Sequence, residues 1–152
     1  MTVQLTTFLW MDGNAKEAIE FYKEALDASV LFVQTYGDAP EDPKFSLPAN
    51  MKDLVAHAVV KIEESSIMIA DMTPGKPHRS GNQVSICITT NDMEKSRKFY
   101  ASLTQEGQVD MPLQQTHFSP GYAMVTDKFG VAFQIFTTTS EEAVSRGHQK
   151  NG

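Results

Sequence analysis

From Asn14 to Leu26 the chain reads NAKEAIEFYKEAL, and Ala18, Ile19, Tyr22 and Leu26 fall on one stripe at helical spacing. Asn14 stands where an N-cap belongs, and Glu17 is placed to complete a capping box. A second helix is predicted from Asp92 to Leu103, DMEKSRKFYASL, with Asp92 as its cap. Elsewhere apolar and polar residues alternate with the two-residue period of strands. Before the first helix a strand is predicted at about 5–11, and after it at about 29–36, 55–63 and 66–72. Before the second helix a strand is predicted at about 84–90, and after it at about 107–114, 118–127 and 131–138. Turn formers separate them: Asp38, Pro40, Pro43 and Pro48; Glu64-Ser65; Pro120-Gly121; Lys128-Phe129-Gly130.

The order is therefore βαβββ, written twice. Each helix carries a Phe-Tyr pair, at 21–22 and 99–100, an offset of 78 residues. The stretch 73–82, TPGKPHRSGN, reads as the joint between halves. This predicts an α+β fold: one domain over 1–138, built from modules at about 4–72 and 83–138 that form a cupped mixed sheet. Residues 139–152 read as a tail, a short frayed helix and a disordered end.

A four-stranded sheet with one helix has two faces, and the helix covers one. Alternation sorts the side chains. Phe8 and Trp10 alternate with Thr7, Leu9 and Met11; Ile67 and Ile69 with Met68, Ala70 and Met72. Val84, Ile86 and Ile88 alternate with Ser85, Cys87 and Thr89; Phe133 and Ile135 with Ala132, Gln134 and Phe136. The bulkier apolar set is expected under the helix. The other set mixes small, polar and flexible groups, a poor core but a plausible pocket lining. By that rule Thr7, Leu9, Met68, Ala70, Ser85, Cys87, Gln134 and Phe136 line a concave face.

Composition narrows the function. Of 152 residues, 41% are hydrophobic and 21% charged, enough for a packed core. Thirteen basic against nineteen acidic residues give net charge −6, which argues against nucleic acid or an anionic membrane as partner. Cys87 is the only cysteine, so neither an intrachain disulfide nor a cysteine zinc site can form. The N-terminus, MTVQL, shows no signal-peptide pattern, and no stretch is long and apolar enough to span a bilayer, so a cytoplasmic protein is expected.

Three stretches carry a resemblance: Phe8 to Tyr22 (FLWMDGNAKEAIEFY), Ile67 to Gly75 (IMIADMTPG) and Thr126 to Phe136 (TDKFGVAFQIF). They resemble the PhnB-like subgroup of the vicinal oxygen chelate superfamily, which includes glyoxalase I, the bleomycin-resistance proteins and the extradiol dioxygenases. Some members of the subgroup are labelled 3-demethylubiquinone-9 3-methyltransferase-like. The resemblance spans about residues 4–138 and implies a glyoxalase-like fold, a homodimer and a small-molecule ligand. In the superfamily's metal-dependent members, ligands come from the first and last strand of each module. Counting back from the Phe-Tyr pairs puts the first-strand positions at Thr7 and Ser85; the last-strand positions are Met68 and Gln134. The family pattern there is His or Gln, Glu, His, Glu. Thr, Met, Ser and Gln offer no carboxylate or imidazole, so no divalent metal and no other cofactor is expected. Gln134 keeps a carboxylate's shape without its charge.

Other groups are weighed against plainer roles. His57 and His117 could reach the cup as a general base; an edge imidazole is the plainer role for each. Asp71 and Asp127 read as turn caps rather than catalytic acids. Cys87 reads as a small buried hydrophobe. Met11, Met68, Met72 and Met124 could form an adaptable wall or fill gaps. Residues 37–53 make a long loop in which Phe45, Leu47 and Met51 could cover a pocket mouth. Lys76, His78 and Arg79 could attract an anion. No glycine-rich strand-to-helix turn is present, so methyltransferase chemistry finds no support. Three functions stay open: a metal-free small-molecule binder, a lyase or isomerase related to glyoxalase, and an assembly module with a filled cup.

Overall fold

Both predicted helices and all eight predicted strands form, in the predicted order, in the computed structural model, which describes residues 2–38, 40, 47–73 and 76–139. The first unit, Met1–Arg79, holds β1 (Thr7–Met11), α1 (Ala15–Ala25), β2 (Ser29–Thr35), β3 (Val55–Ile62) and β4 (Ser65–Asp71). The second, Ser80–Gly152, holds β5 (Ile86–Thr90), α2 (Met93–Leu103), β6 (Gln108–Gln114), β7 (Tyr122–Thr126) and β8 (Ala132–Thr137). Phe45, expected in the long loop, and the tail beyond 139 lie outside the described residues.

Each module forms a mixed sheet of four strands, ordered β1-β4-β3-β2 and β5-β8-β7-β6. In each, the first strand of the module runs parallel to the last, and the remaining pairs are antiparallel. Strand β7 is shorter than predicted. Thr116 N–H bonds to the Ser119 carbonyl at 2.8 Å, and this turn, followed by Pro120, delays pairing until Tyr122. Among the described residues no helix is long and apolar enough to cross a membrane.

Each helix packs on one face of its own sheet. In the first unit Ala18, Ile19, Tyr22 and Ala25 are buried, as are Ala58, Val60, Ile67 and Ile69 on the strands. In the second Phe99 and Leu103 are buried, as are Ala123, Val125, Phe133 and Ile135. Each large apolar side chain so removed from water contributes about 1.5–3 kcal/mol, which is why the amphipathic stripe decides where the helix lies.

The modules differ by one residue where the first strand meets the helix. Met11 ends β1 and its carbonyl accepts from Met72 N–H; Thr90 ends β5 and its carbonyl accepts from Thr138 N–H. These positions are 79 residues apart, whereas the helices are 78 apart. The extra residue lies in Asp12-Gly13-Asn14, against Asn91-Asp92 in the second module. Gly13 sits at φ +87°, a left-handed conformation that costs glycine little. A slip of one residue exchanges the two faces of a strand.

That slip corrects the predicted faces of β1. Thr7 pairs with Ile67 and Leu9 with Ile69, so Thr7 and Leu9 share the helix-covered face rather than lining the open one. Phe8 pairs with Met68 and Trp10 with Ala70, so these two aromatic rings stand on the open face instead of under the helix. The capping is also corrected. Asn14 makes no side-chain cap bond, so the expected capping box does not form. Asp71, at the end of β4, accepts the Ala15 N–H at 2.9 Å in its place. Asp92 does cap α2, accepting from Glu94 N–H and Lys95 N–H.

Candidate functional site

The open face of the second sheet carries Ser85, Cys87, Thr89, Tyr122, Met124, Gln134 and Phe136. Register fixes this grouping: Cys87 and Met124 flank Gln134, and Thr89 and Tyr122 flank Phe136. Gln134 is held at both ends of its amide. The Tyr122 hydroxyl donates to Oε1, and Nε2 donates to Ser85 Oγ at 2.8 Å. A relay thus runs from Tyr122 on β7 through Gln134 on β8 to Ser85, just before β5.

An aromatic wall adjoins the relay. The rings of Phe118 and Phe136 lie nearly parallel with centroids 5.7 Å apart, and Phe118 meets Tyr122 edge-on at 5.0 Å. His117 packs edge-on against Phe118 at 5.1 Å. Phe118 is 48% exposed and Met124 38%, so this face is apolar yet reachable. Strands β5 to β8 contain no Lys or Arg. Their one carboxylate, Asp110, accepts from Thr126 Oγ1 and Gln108 Nε2, both at 2.7 Å. Cys87, expected to be buried, is exposed, because nothing of the second sheet's own helix covers that face.

The open face of the first sheet is built differently. The Phe8 and Trp10 rings meet tilted at 33° with centroids 4.7 Å apart, and His57 lies 6.0 Å from Phe8 and 5.3 Å from Phe32. Met68 is half-buried beside Phe8, while Ala70 has no exposed surface. No relay matching Tyr122–Gln134–Ser85 is possible there: Met68 stands where Gln134 does, and Phe8 where Cys87 does. Leu47 and Met51, both half-buried, belong to the long loop.

The remaining candidates take structural roles. Asp71 is 1% exposed, and its second carboxylate oxygen accepts the Val55 N–H at 2.9 Å. Asp127 accepts from Phe129 and Val131 N–H, both 2.9 Å, closing the turn in which Gly130 adopts φ +86°. His78 donates from Nε2 to the Trp10 carbonyl at 2.9 Å, so that imidazole ties the end of the first unit to β1. Met11 is buried core; Met72 is half-buried.

A divalent metal does not fit these faces. With the 79-residue spacing, the strand positions that face each other are Phe8 and Met68 in one sheet and Cys87 and Gln134 in the other; Thr6, not Thr7, is the counterpart of Ser85. Phenyl and thioether groups offer a hard cation no oxygen or imidazole, and in the second sheet stand only the neutral Gln134 oxygen, which already accepts from Tyr122, and the lone thiol of Cys87. Among the described residues, no three His, Cys, Asp or Glu side chains are grouped to hold a metal ion.

Sequence reasoning missed Tyr122, Phe118, Phe8, Trp10 and Phe32. Two signals could have found some of them. The turn centred on Phe129 pairs Tyr122 with Phe136 and Met124 with Gln134, which puts all four on one face. The shorter connector Asn91-Asp92 announces the changed offset in the strands.

Comparison with known proteins closes the assignment. Residues 3–136 match the family model for 3-demethylubiquinone-9 3-methyltransferase. Protein YjdN of Escherichia coli (strain K12) is 32% identical over 138 residues, covering 86% of this chain and 92% of YjdN. Protein PA1353 from Pseudomonas aeruginosa superposes with a TM-score of 0.79 at 28% identity, over 90% of this chain and 98% of that one. A putative 3-demethylubiquinone-9 3-methyltransferase from Bacillus cereus, a PhnB protein, superposes with a TM-score of 0.73 at 25% identity, over 90% and 100%. The paired βαβββ modules, the matched family model and the extent of these alignments show that the chain belongs to the PhnB-like, 3-demethylubiquinone-9 3-methyltransferase family, on the vicinal oxygen chelate fold.

Proposed function

We propose that this protein binds a small organic molecule on the open face of its second module, through neutral hydrogen bonds and aromatic contact and without a divalent metal. One observation carries the reading: a glutamine fixed at both ends of its amide, on an exposed apolar face. A side chain so ordered presents its remaining hydrogen-bonding sites in fixed directions, which lowers the ordering cost of binding. The aromatic wall supplies apolar area beside it. The face of the first module, with Phe8, Trp10 and His57, offers a second aromatic surface without such a relay.

The test is a thermal-shift screen of the full chain against small aromatic, carbonyl and acidic compounds. A ligand that binds only the folded state raises the unfolding midpoint. Gln134→Leu keeps the bulk and removes the amide, and it is expected to abolish the shift. A midpoint that no compound raises would sink the proposal.

A homodimer in the cytoplasm is the assembly that goes with this reading. Leu31, Phe32 and Val33 are 57%, 47% and 41% exposed on β2, an edge strand of its sheet, and a second copy would cover such a strip. Light scattering of the purified chain measures the mass.

A further inference from the structure

The hydrogen-bond polarity of the relay specifies what it can receive, and we infer that the site takes an uncharged planar aromatic molecule bearing a carbonyl oxygen. This rests on the binding function proposed above and names its ligand class. Tyr122 spends its one hydroxyl hydrogen on Gln134 Oε1. Gln134 spends one amide hydrogen on Ser85 Oγ. Ser85 therefore accepts within the relay, and its own hydrogen turns outward; a hydroxyl carries one donor and two acceptor lone pairs. Ser85 is half-buried at the rim of an exposed face, so this hydrogen is available to an incoming group. The second hydrogen of the Gln134 amide is a donor too. The relay offers two donors to the face, and the ligand must bring an acceptor.

Charge decides which acceptor. No Lys or Arg lies on β5 to β8, and the chain carries net charge −6. A carboxylate or phosphate held against these strands would lose hydration, and no Lys or Arg on them stands to replace it. A ketone or amide oxygen loses far less and accepts the same two hydrogens. Shape follows from the wall. Phe118 and Phe136 lie nearly parallel, at 17° between planes, and the exposed Phe118 ring presents a flat surface beside the relay. A flat ring stacks on it in the offset geometry that aromatic pairs favour.

The experiment compares three probes of one shape: 2-acetonaphthone, naphthalene and 2-naphthoate. Dissociation constants come from NMR titration of the full-length protein, following backbone signals and the Gln134 side-chain amide pair. The expected order is 2-acetonaphthone tightest, naphthalene about three- to tenfold weaker for want of the hydrogen bond, and 2-naphthoate weaker than naphthalene. Shifts are expected at Ser85, Phe118 and Gln134. Ser85→Ala weakens 2-acetonaphthone part of the way, and Ser85→Ala with Gln134→Leu, which removes both donors, brings it down to the naphthalene value; naphthalene still binds each variant, which shows that they are folded. The inference is overturned if 2-naphthoate binds as tightly as the ketone, if naphthalene equals it, or if Ser85→Ala changes nothing. It is overturned too if none of the three binds while other compounds of the thermal-shift screen do. Failure of every compound in that screen would instead remove the binding function itself.

Discussion

Asp71 and Thr137 hold the same place in the two modules, at the end of the last strand, and tie it to the helix by different bonds. In the first, a buried carboxylate accepts from Ala15 and Val55 N–H, and the Tyr36 hydroxyl donates to the Asp71 carbonyl at 2.9 Å. Burial, and then the Asp71 charge, raise the Tyr36 pKa above its ordinary 10.0. A folded state that holds this proton more tightly keeps the full benefit below pH 10 and loses it as pH climbs beyond that value. The stability advantage of the natural chain over Tyr36→Phe is therefore constant below pH 10 and narrows above it, as urea denaturation across pH measures. In the second module Ser96 and Thr137 share a buried bond of 2.6 Å. Ser96→Ala or Thr137→Val alone leaves one hydroxyl buried without this partner, at about 1–3 kcal/mol; the double variant should cost less than the two singles summed. An additive double-mutant cycle would count against this bond.

The two helices are equal in length and alike in pattern yet start by different means. Asp92 caps α2 from within its own chain segment, so Asp92→Ala should cost about 1 kcal/mol. Asn14 makes no cap bond, so Asn14→Ala should cost well under half of that, as chemical denaturation of the two variants can measure. Both positions look like caps in the sequence, because residue type records only an ability to bond. The bond goes to Asp71 in the first module because β4 brings a carboxylate to Ala15 from 56 positions away. The strand faces show the same limit. Alternation identified β1 correctly as a strand, but one added residue at Gly13 decides which side of it meets the helix. On β8, where no such slip intervenes, the predicted placement of Gln134 and Phe136 together on the open face agrees with the observed register.

Across the whole molecule, the donor set opposite each strand pair argues against a resident divalent ion. Dialysis against EDTA is expected to leave the unfolding midpoint unchanged, and added zinc should not raise it, since only a ligand that favours the folded state moves it. A drop on chelation, measured by scanning calorimetry, would reverse that conclusion. The sequence by itself determined the duplicated βαβββ order, the helix stripes and the chemistry absent from Met68 and Gln134. These are local properties of period, turn residues and residue type. Only the tertiary structure decided that Trp10 and Phe8 face outward, that Asp71 caps a distant helix, and that Tyr122 and Ser85 grip Gln134. Each of those depends on strand register and on contacts between residues far apart in the chain, which no local pattern encodes.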